Sequence, residues 1–385
     1  MNQSLAADSA RLFGSLFAAQ ASLLVLSPIL SEVATDFGVS PATAGQLRAI
    51  SGVAAALVAI GLVIGRRRWE LRRLLELGLG LLSVAVSASV LAPTFAWLAA
   101  AQAVLGAGVS LVLAAGLAAA ASWAPEGERA TLLSWAMVGA PSAWIAGMPV
   151  IGLLGAHSWR LAWLVPLVAS ALTLNAVARR ERGTPEPEPA PVRSLLRGRG
   201  ATRWAVGELL AYGGWSGVLV YVGGLLTDAH RASPAATGLA LGGGAIAYVV
   251  ATFLARRWVD RAARPMVLAA GSAMVAAALI LGAVRPSFAF SVLMWAVTAF
   301  FAGVRMMAGS TAGLDLAGVG PLQAMSVRAA SMQAGYLAGA VLGGVGLALG
   351  GWTAVGVALA VPLLLAVVVT ATDDRIAARA KVGVR

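Results

Sequence analysis

Apolar segments long enough to cross a lipid bilayer recur along almost the whole sequence. A membrane-spanning helix requires about 20 mostly apolar residues, and twelve such segments follow one another, which we number as spans 1 to 12. They lie at about residues 11–30, 44–64, 74–91, 95–121, 131–154, 160–178, 204–226, 235–256, 266–284, 287–308, 323–349 and 352–371. The gaps are mostly short, so the sequence predicts an all-α polytopic membrane protein without a large water-soluble domain.

The scarcity of charge agrees with this interpretation. Only 11% of the 385 residues are charged and 59% are hydrophobic, whereas a soluble domain is about 25% charged and about 45–50% apolar. So little polar surface excludes soluble enzymes, disordered chains and proteins that bind nucleic acid. The sequence contains no ATP-binding or hydrolytic motif, so we do not expect an enzyme. With no cysteine and only two histidines, it predicts neither a metal site nor a cofactor.

Basic residues concentrate on one side of the predicted topology. If the N-terminus lies inside, 22 of the 28 basic residues fall in inside segments, and only Arg160, Arg231 and Arg285 fall in outside segments. Cytoplasmic loops of membrane proteins carry an excess of arginine and lysine. We therefore expect an integral protein of a bacterial plasma (inner) membrane, with both termini in the cytoplasm.

The longest gap between spans, residues 179–203, carries seven arginines around the proline-glutamate run 185–189. Alternating proline favours an extended, solvated backbone, so we predict a cytoplasmic linker here. It separates an N-terminal six-helix bundle, residues 1–178, from a C-terminal one, residues 204–385. Arg-Arg-Trp sequences that end at Trp69 and Trp258 follow spans 2 and 8, which is the kind of weak repeat that a duplicated transporter shows.

Span 5 combines small residues with a proline in the run Gly147-Met148-Pro149-Val150-Ile151-Gly152, and Trp159-Arg160 follows it. Small residues permit close packing of membrane helices, and proline softens a helix. The run resembles the antiporter signature of the major facilitator superfamily, in the drug:proton antiporter branch that includes arabinose-efflux-permease-like proteins. The resemblance implies gating roles for Gly147, Pro149 and Gly152.

A second passage, Asp260-Arg261-Ala262-Ala263-Arg264 after span 8, resembles the superfamily's cytoplasmic loop motif, with alanine in the glycine place. In the family this loop acts as a latch between helices on the inner side, which implies that role for Asp260, Arg261 and Arg264. Two positions depart from the family pattern. The loop after span 2 lacks the expected aspartate, and Gln102 on span 4 stands where the family often has an arginine associated with proton coupling.

The resemblance covers essentially the whole chain and implies a fold of twelve helices in two six-helix halves. It implies secondary active transport by alternating access, with proton-coupled efflux of a small organic molecule such as a drug, a sugar or a metabolite. The implied partners are that substrate, protons and the lipid bilayer, and we expect a monomer. Two alternatives stay open: an uncoupled facilitator or importer of a small neutral or anionic metabolite, and a membrane sensor of this fold that does not transport.

Ionisable residues inside the spans are costly in a bilayer and are therefore candidates for function. Glu208 in span 7 is the only acid clearly inside a span, and we assign it to proton coupling; the alternative is a structural pair with Arg203. For Arg305, near the inner end of span 10, we favour a structural role in which it pairs with Asp315 and holds the inner gate.

Two further arginines enter the predicted substrate site. Arg48 lies toward the outer side of span 2, where it either faces the cavity, pairs with Glu32 or Asp36, or reaches the headgroups. Arg328 lies at the start of span 11, where it either faces the inner vestibule and attracts anions or pairs with Asp315 and holds the inner gate. Transporter sites lie near the midplane between repeats, and the other candidates are polar or aromatic residues there. The full candidate set for substrate binding is Gln20, Arg48, Gln102, Trp144, Tyr212, Trp215, Tyr248, Arg328, Gln333 and Tyr336.

Overall fold

The computed structural model describes residues 3–39, 41–65, 68–181, 183, 199–232, 234–316 and 318–382. Over these ranges the regular structure is helical, with no β-strand. The predicted all-α membrane fold is thereby confirmed. The central part of the predicted linker, residues 184–198, lies outside the described residues.

The helices of the first half follow the predicted spans closely. Span 1 consists of two helices, Gln3–Leu24 and Leu26–Asp36, and span 2 is Pro41–Ile64. Span 3 is Leu71–Val90 and span 4 is Phe95–Ser122. Span 5 comprises Arg129–Ser142, a π-helical segment Ala143–Gly147 and Met148–Gly155, and span 6 comprises Trp159–Ala162 and Leu164–Ala178.

The second half begins with one long helix, Arg199–His230, which contains span 7. Span 8 is Pro234–Ala255, span 9 is Val259–Ala283 and span 10 is Phe288–Leu314. Spans 11 and 12 lie in Pro321–Val382, which is interrupted by non-helical backbone at Gly350 and at Gly351, where φ is +62°. Because an L side chain is strained at positive φ, glycine suits this break between the two spans.

The number of membrane crossings agrees with the prediction. Among the described residues, ten helices are long and apolar enough to cross a bilayer. The pair Ser4–Leu24 and Pro28–Asp36, bent by 42°, adds an eleventh span. The helical stretch Pro321–Thr372 has 52 residues, about 78 Å at 1.5 Å per residue and more than twice the hydrocarbon thickness, so its break accounts for the twelfth.

The chain divides into two compact units. The first consists of Met1–Pro191 and Val319–Ala330, and the second of Val192–Gly318 and Ser331–Arg385. The first residues of span 11 therefore belong to the first unit, which no feature of the sequence indicated. The boundaries 1–178, 179–203 and 204–385 stay a prediction.

Glycines allow close approach of helices within each unit. In the first unit, Gly139 and Gly155 of span 5 face span 1: a Cβ built on them would lie 2.3 Å from the Phe13 carbonyl oxygen and 2.6 Å from Ile29. In the second unit, a Cβ on Gly339 of span 11 would lie 2.4 Å from the backbone nitrogen of Gly217 on span 7. These contacts are the small-residue packing expected between membrane helices.

Candidate functional site

A buried ion pair joins spans 7 and 10 in the second unit. The Arg305 Nη1 lies 2.6 Å from the Glu208 Oε1, and the two side chains are only 3% and 1% exposed. The Arg305 Nη2 donates a second hydrogen bond, of 3.0 Å, to the Gly207 carbonyl oxygen. The sequence analysis had predicted that Arg305 pairs with Asp315. In the structure Arg305 pairs with Glu208 instead, because Glu208 lies on the neighbouring helix within direct reach.

The backbone beside this pair is shaped to admit it. A Cβ built on Gly309, one turn after Arg305, would lie 2.4 Å from the Glu208 Oε1. Trp204 lies one turn before Glu208 on span 7, and its Nε1 donates to the Gly309 carbonyl oxygen at 2.8 Å. Spans 7 and 10 therefore contact through an indole hydrogen bond and an ion pair, with glycine leaving room for the carboxylate.

An aromatic stack lies elsewhere in the second unit and joins spans 7, 8 and 10. The Trp215 ring stacks with that of Tyr248, at a centroid distance of 6.1 Å, and with that of Trp295, at 5.7 Å with an interplanar angle of 8°. The Trp295 Nε1 donates to the Ala240 carbonyl oxygen at 3.0 Å. The structure thus brings together two predicted residues, Trp215 and Tyr248, and adds Trp295, which the sequence analysis missed. Its position inside span 10, away from the interfacial aromatic belt, was the available signal.

The predicted residues on spans 7 and 11 have different environments. Tyr212 is buried, and its Cβ packs where Gly335 has no side chain. Gln333 and Tyr336 are half-buried on span 11. Arg328 is 3% exposed and belongs, with the start of span 11, to the first unit.

The remaining substrate candidates lie in the first unit. The Arg48 Nη1 donates to the Leu23 carbonyl oxygen, at the end of the first helix of span 1, where the helical hydrogen-bond pattern is interrupted. Gln102 is buried, and its Nε2 lies 3.4 Å from the Ser89 Oγ. Gln20 is half-buried on span 1, and Trp144 is half-buried in the π-helical segment of span 5.

Of the two glycines in the span 5 passage, only the first packs against span 1. Gly147 is buried, and a Cβ there would lie 3.4 Å from the Phe17 ring of span 1, whereas Pro149 is exposed and Gly152 has open space around it. Pro149 lacks a backbone N–H and is the second residue after the π-helical segment, as expected where a helix loses regular hydrogen bonds. π-Helical segments are frequent at functional sites.

The Trp-Arg pair that ends this passage anchors the C-terminal end of span 1. Asp36 Oδ2 accepts from the Arg160 Nη1 at 2.9 Å and from the Trp159 Nε1 at 3.1 Å. The Arg160 Nη2 also donates to the Ala92 carbonyl oxygen at 3.2 Å. The suggested pairing of Arg48 with Asp36 is therefore wrong, since Arg160 occupies that carboxylate.

The loop motif after span 8 connects spans 9 and 12. Asp260 and Arg261 are exposed, while the Arg264 Nη2 donates to the Thr370 carbonyl oxygen at 3.0 Å. The corresponding loop of the first half, after span 2, lacks the aspartate of the family motif. A different acid of the first unit, Asp8 of span 1, pairs with Arg11 at 2.7 Å and with Arg180 at 3.1 Å. This carboxylate thereby ties span 1 to the residues that follow span 6.

Carboxylates and imidazoles are not clustered for metal binding in the part of the chain that the structure describes. No group of three or more histidine, aspartate or glutamate residues there is arranged to hold a metal ion. The polar contacts of the described residues include ion pairs and hydrogen bonds both within helices and between them.

Comparisons with known proteins give the family. The Major Facilitator Superfamily model matches residues 12–206 and 204–384. A curated relative, the uncharacterized MFS-type transporter YbcL of Bacillus subtilis, is 26% identical over 168 residues. That match covers 42% of this chain and 43% of the relative, so it spans less than half of each protein.

Solved structures of transporters show the same fold. The structure of FucP in the outward conformation aligns with a TM-score of 0.76 and 14% identity, over 96% of this chain and 99% of that one. The human organic anion transporter MFSD10 (TETRAN) aligns with a TM-score of 0.73 and 17% identity, over 96% of this chain and 100% of that one. These structures share the all-helical fold, and the match of both halves to the family model shows that the chain is an integral membrane protein that belongs to the Major Facilitator Superfamily.

Proposed function

We propose that this transporter exports a small organic molecule by alternating access, and that proton exchange at Glu208 drives the export. The observation that carries the proposal is the buried pair of Glu208 with Arg305, at 2.6 Å. It is an acid and a base removed from water inside a transporter fold, where ionisable groups are rare and mark ion pathways.

The pair links proton binding to conformation through its charge balance. With Glu208 ionised, the two charges compensate each other. Protonation of Glu208 removes the negative partner and leaves the Arg305 guanidinium buried and uncompensated, which costs several kcal/mol. The protonated state therefore favours a rearrangement that hydrates Arg305 or brings an anion to it. Because the pair joins spans 7 and 10, such a rearrangement changes how these helices pack.

The aromatic stack is the proposed binding wall for the substrate in the second unit. Trp215 stacks with both Tyr248 and Trp295, and the Trp295 indole donates to the Ala240 carbonyl oxygen. Aromatic walls with few polar groups are typical of small-molecule sites. This arrangement supports a substrate with an apolar or planar portion.

Flux measurements in proteoliposomes test the proton coupling. We expect an imposed pH gradient to drive substrate flux in the wild type. We expect Glu208→Gln to abolish the dependence of flux on the pH gradient, because a side-chain amide does not bind and release a proton as a carboxylate does. Glu76→Gln is the matched control, since Glu76 also pairs with an arginine, Arg72 at 2.7 Å, but is partly exposed. A Glu208→Gln protein that folds and keeps the full response to the gradient would overturn the assignment.

An uncoupled facilitator is the second candidate function. It is favoured by Gln102, which is buried against Ser89 through a neutral hydrogen bond where the family often has an ionisable residue. The same flux experiment decides between the two. Substrate flux down its own gradient, equal with and without a pH gradient in the wild type, supports the facilitator.

We also propose that both termini face the cytoplasm of a bacterial cell and that the protein acts as a monomer. The sequence has no native cysteine, so single cysteines report topology directly. In intact cells, a membrane-impermeant maleimide is expected to label Asp228→Cys, near the end of span 7, and not Glu181→Cys, after span 6. Both positions are exposed in the structure. Labelling of Glu181→Cys in intact cells would reverse the orientation.

A further inference from the structure

A cleft lies among the ends of spans 7, 9, 10 and 12 in the second unit. Its cavity volume is about 140 Å³. Three arginines and one acid line it, namely Arg203, Arg264, Arg305 and Glu208. With all four ionised, the lining carries an excess of two positive charges. A cavity with this balance attracts anions.

The acid is the least available member of this set. Glu208 is 1% exposed and its charge is compensated by Arg305, whose Nη1 and Nη2 bind Glu208 and the Gly207 carbonyl oxygen. Arg203 and Arg264 are both half-buried. Both guanidinium groups line the cleft, where the Arg264 Nη2 also donates to the Thr370 carbonyl oxygen at 3.0 Å, and the carboxylate that lines it is compensated by Arg305.

The uncharged residues that line the cleft favour an anion with an apolar portion. Gly200 lies at the start of the 32-residue helix Arg199–His230, whose N-terminal N–H groups favour negative charge. At Gly207, a Cβ would lie 3.5 Å from the Thr370 Oγ1 and narrow the cleft. The other walls are mostly apolar and include Val267, Ala312, Leu316 and Val369.

We propose that this cleft binds a phosphate-bearing anion through Arg203 and Arg264. The planar guanidinium group matches phosphate in a bidentate fashion. Basic pockets between membrane helices on the cytoplasmic side bind the headgroups of anionic lipids, and the apolar walls suit the part of a lipid next to its phosphate. The two sources of this chemistry are an anionic phospholipid and a soluble phosphate compound. The inference does not rest on proton coupling.

Binding is tested on the purified full-length protein in detergent. Apparent thermal stability is measured while phosphatidylglycerol, phosphatidylcholine or inorganic phosphate is titrated, and native mass spectrometry counts the lipid retained. We expect phosphatidylglycerol to stabilise the wild type and phosphatidylcholine to have little effect. Arg203→Gln and Arg264→Gln are each expected to lower the affinity about fivefold, and the double variant about 25-fold if the two sites act independently.

Control variants separate the cleft from general surface charge. Arg257→Gln removes an exposed arginine that does not line the cleft, and it is expected to bind as the wild type does. Arg203→Lys with Arg264→Lys keeps the charge and is expected to restore part of the affinity, which a folding defect would not permit. Stabilisation by inorganic phosphate, lost in the double variant, identifies a soluble phosphate compound as the source. Equal binding by the wild type and a folded double variant overturns the proposal.

Discussion

Arg305→Met is expected to destabilise the protein by about 3–5 kcal/mol, because it leaves the Glu208 carboxylate buried without its cation. The pair is almost fully buried, with side-chain exposures of 3% and 1%. Replacing both members, as in Glu208→Leu with Arg305→Met, is expected to recover most of that loss, since a buried ion pair exchanged for apolar residues of similar volume is often neutral or stabilising. The apparent melting temperature of the purified protein measures both effects.

An ion pair with one exposed member supplies the control for this prediction. Arg73 pairs with Glu70 at 2.9 Å, and the Arg73 side chain is 64% exposed whereas that of Glu70 is 9% exposed. Glu70 keeps a hydrogen bond from the Gly183 N–H at 3.1 Å when Arg73 is removed, and a solvent-exposed arginine contributes about 0–1 kcal/mol to such a pair. Arg73→Met is therefore expected to leave the melting temperature nearly unchanged. If the Arg305→Met single variant were as stable as the double variant, Glu208 would not be a buried carboxylate that depends on Arg305 for its compensating charge.

Gly106→Ala is expected to destabilise the first unit by about 1–3 kcal/mol or more, as overpacking of a tight interior does. A Cβ on Gly106 of span 4 would lie 2.0 Å from the Ser51 carbonyl oxygen of span 2. That neighbour is backbone, so the whole helix has to shift. Gly303→Ala is expected to act likewise in the second unit, where the Cβ would lie 2.5 Å from the Tyr248 carbonyl oxygen of span 8.

The glycine next to Ser51 provides the matched control. A Cβ on Gly52 has no heavy atom within 4 Å, and alanine is favoured over glycine inside a helix by about 1 kcal/mol. Gly52→Ala is therefore expected to be neutral or stabilising by the same thermal measurement. A Gly106→Ala protein as stable as Gly52→Ala would show that spans 2 and 4 are not in close contact.

Gly106 and Gly303 occupy corresponding positions in the two halves of the chain. Gly106 joins spans 2 and 4, and Gly303 joins spans 8 and 10, so the same pair of helices in each half is brought together by a glycine against a carbonyl. The sequence repeat that was visible at Trp69 and Trp258 lies in the loops. The structural repeat is set by glycine positions, which a chain with 45 glycines does not reveal individually.

Local sequence predicted more of the fold than of the site. Twelve apolar segments and their helical nature could be predicted because the bilayer requires a fixed length of apolar helix with its backbone hydrogen bonds satisfied internally. The bend in span 1 and the π-helical segment of span 5 were not predicted, since both depend on contacts with other helices. Pro28 and Pro149 are the local signals that came closest.

The site shows the same division more sharply. By itself, the sequence determined that Glu208 is an acid inside a span, because burial in a bilayer follows from the surrounding apolar residues. Only the tertiary structure decided that its partner is Arg305, that Asp36 receives Arg160, and that Trp295 completes the aromatic stack. Residues separated by 97 or 124 positions meet through helix packing. Apolar length specifies that a helix crosses the membrane, whereas the identity of its neighbours depends on side-chain shape and charge across the whole bundle.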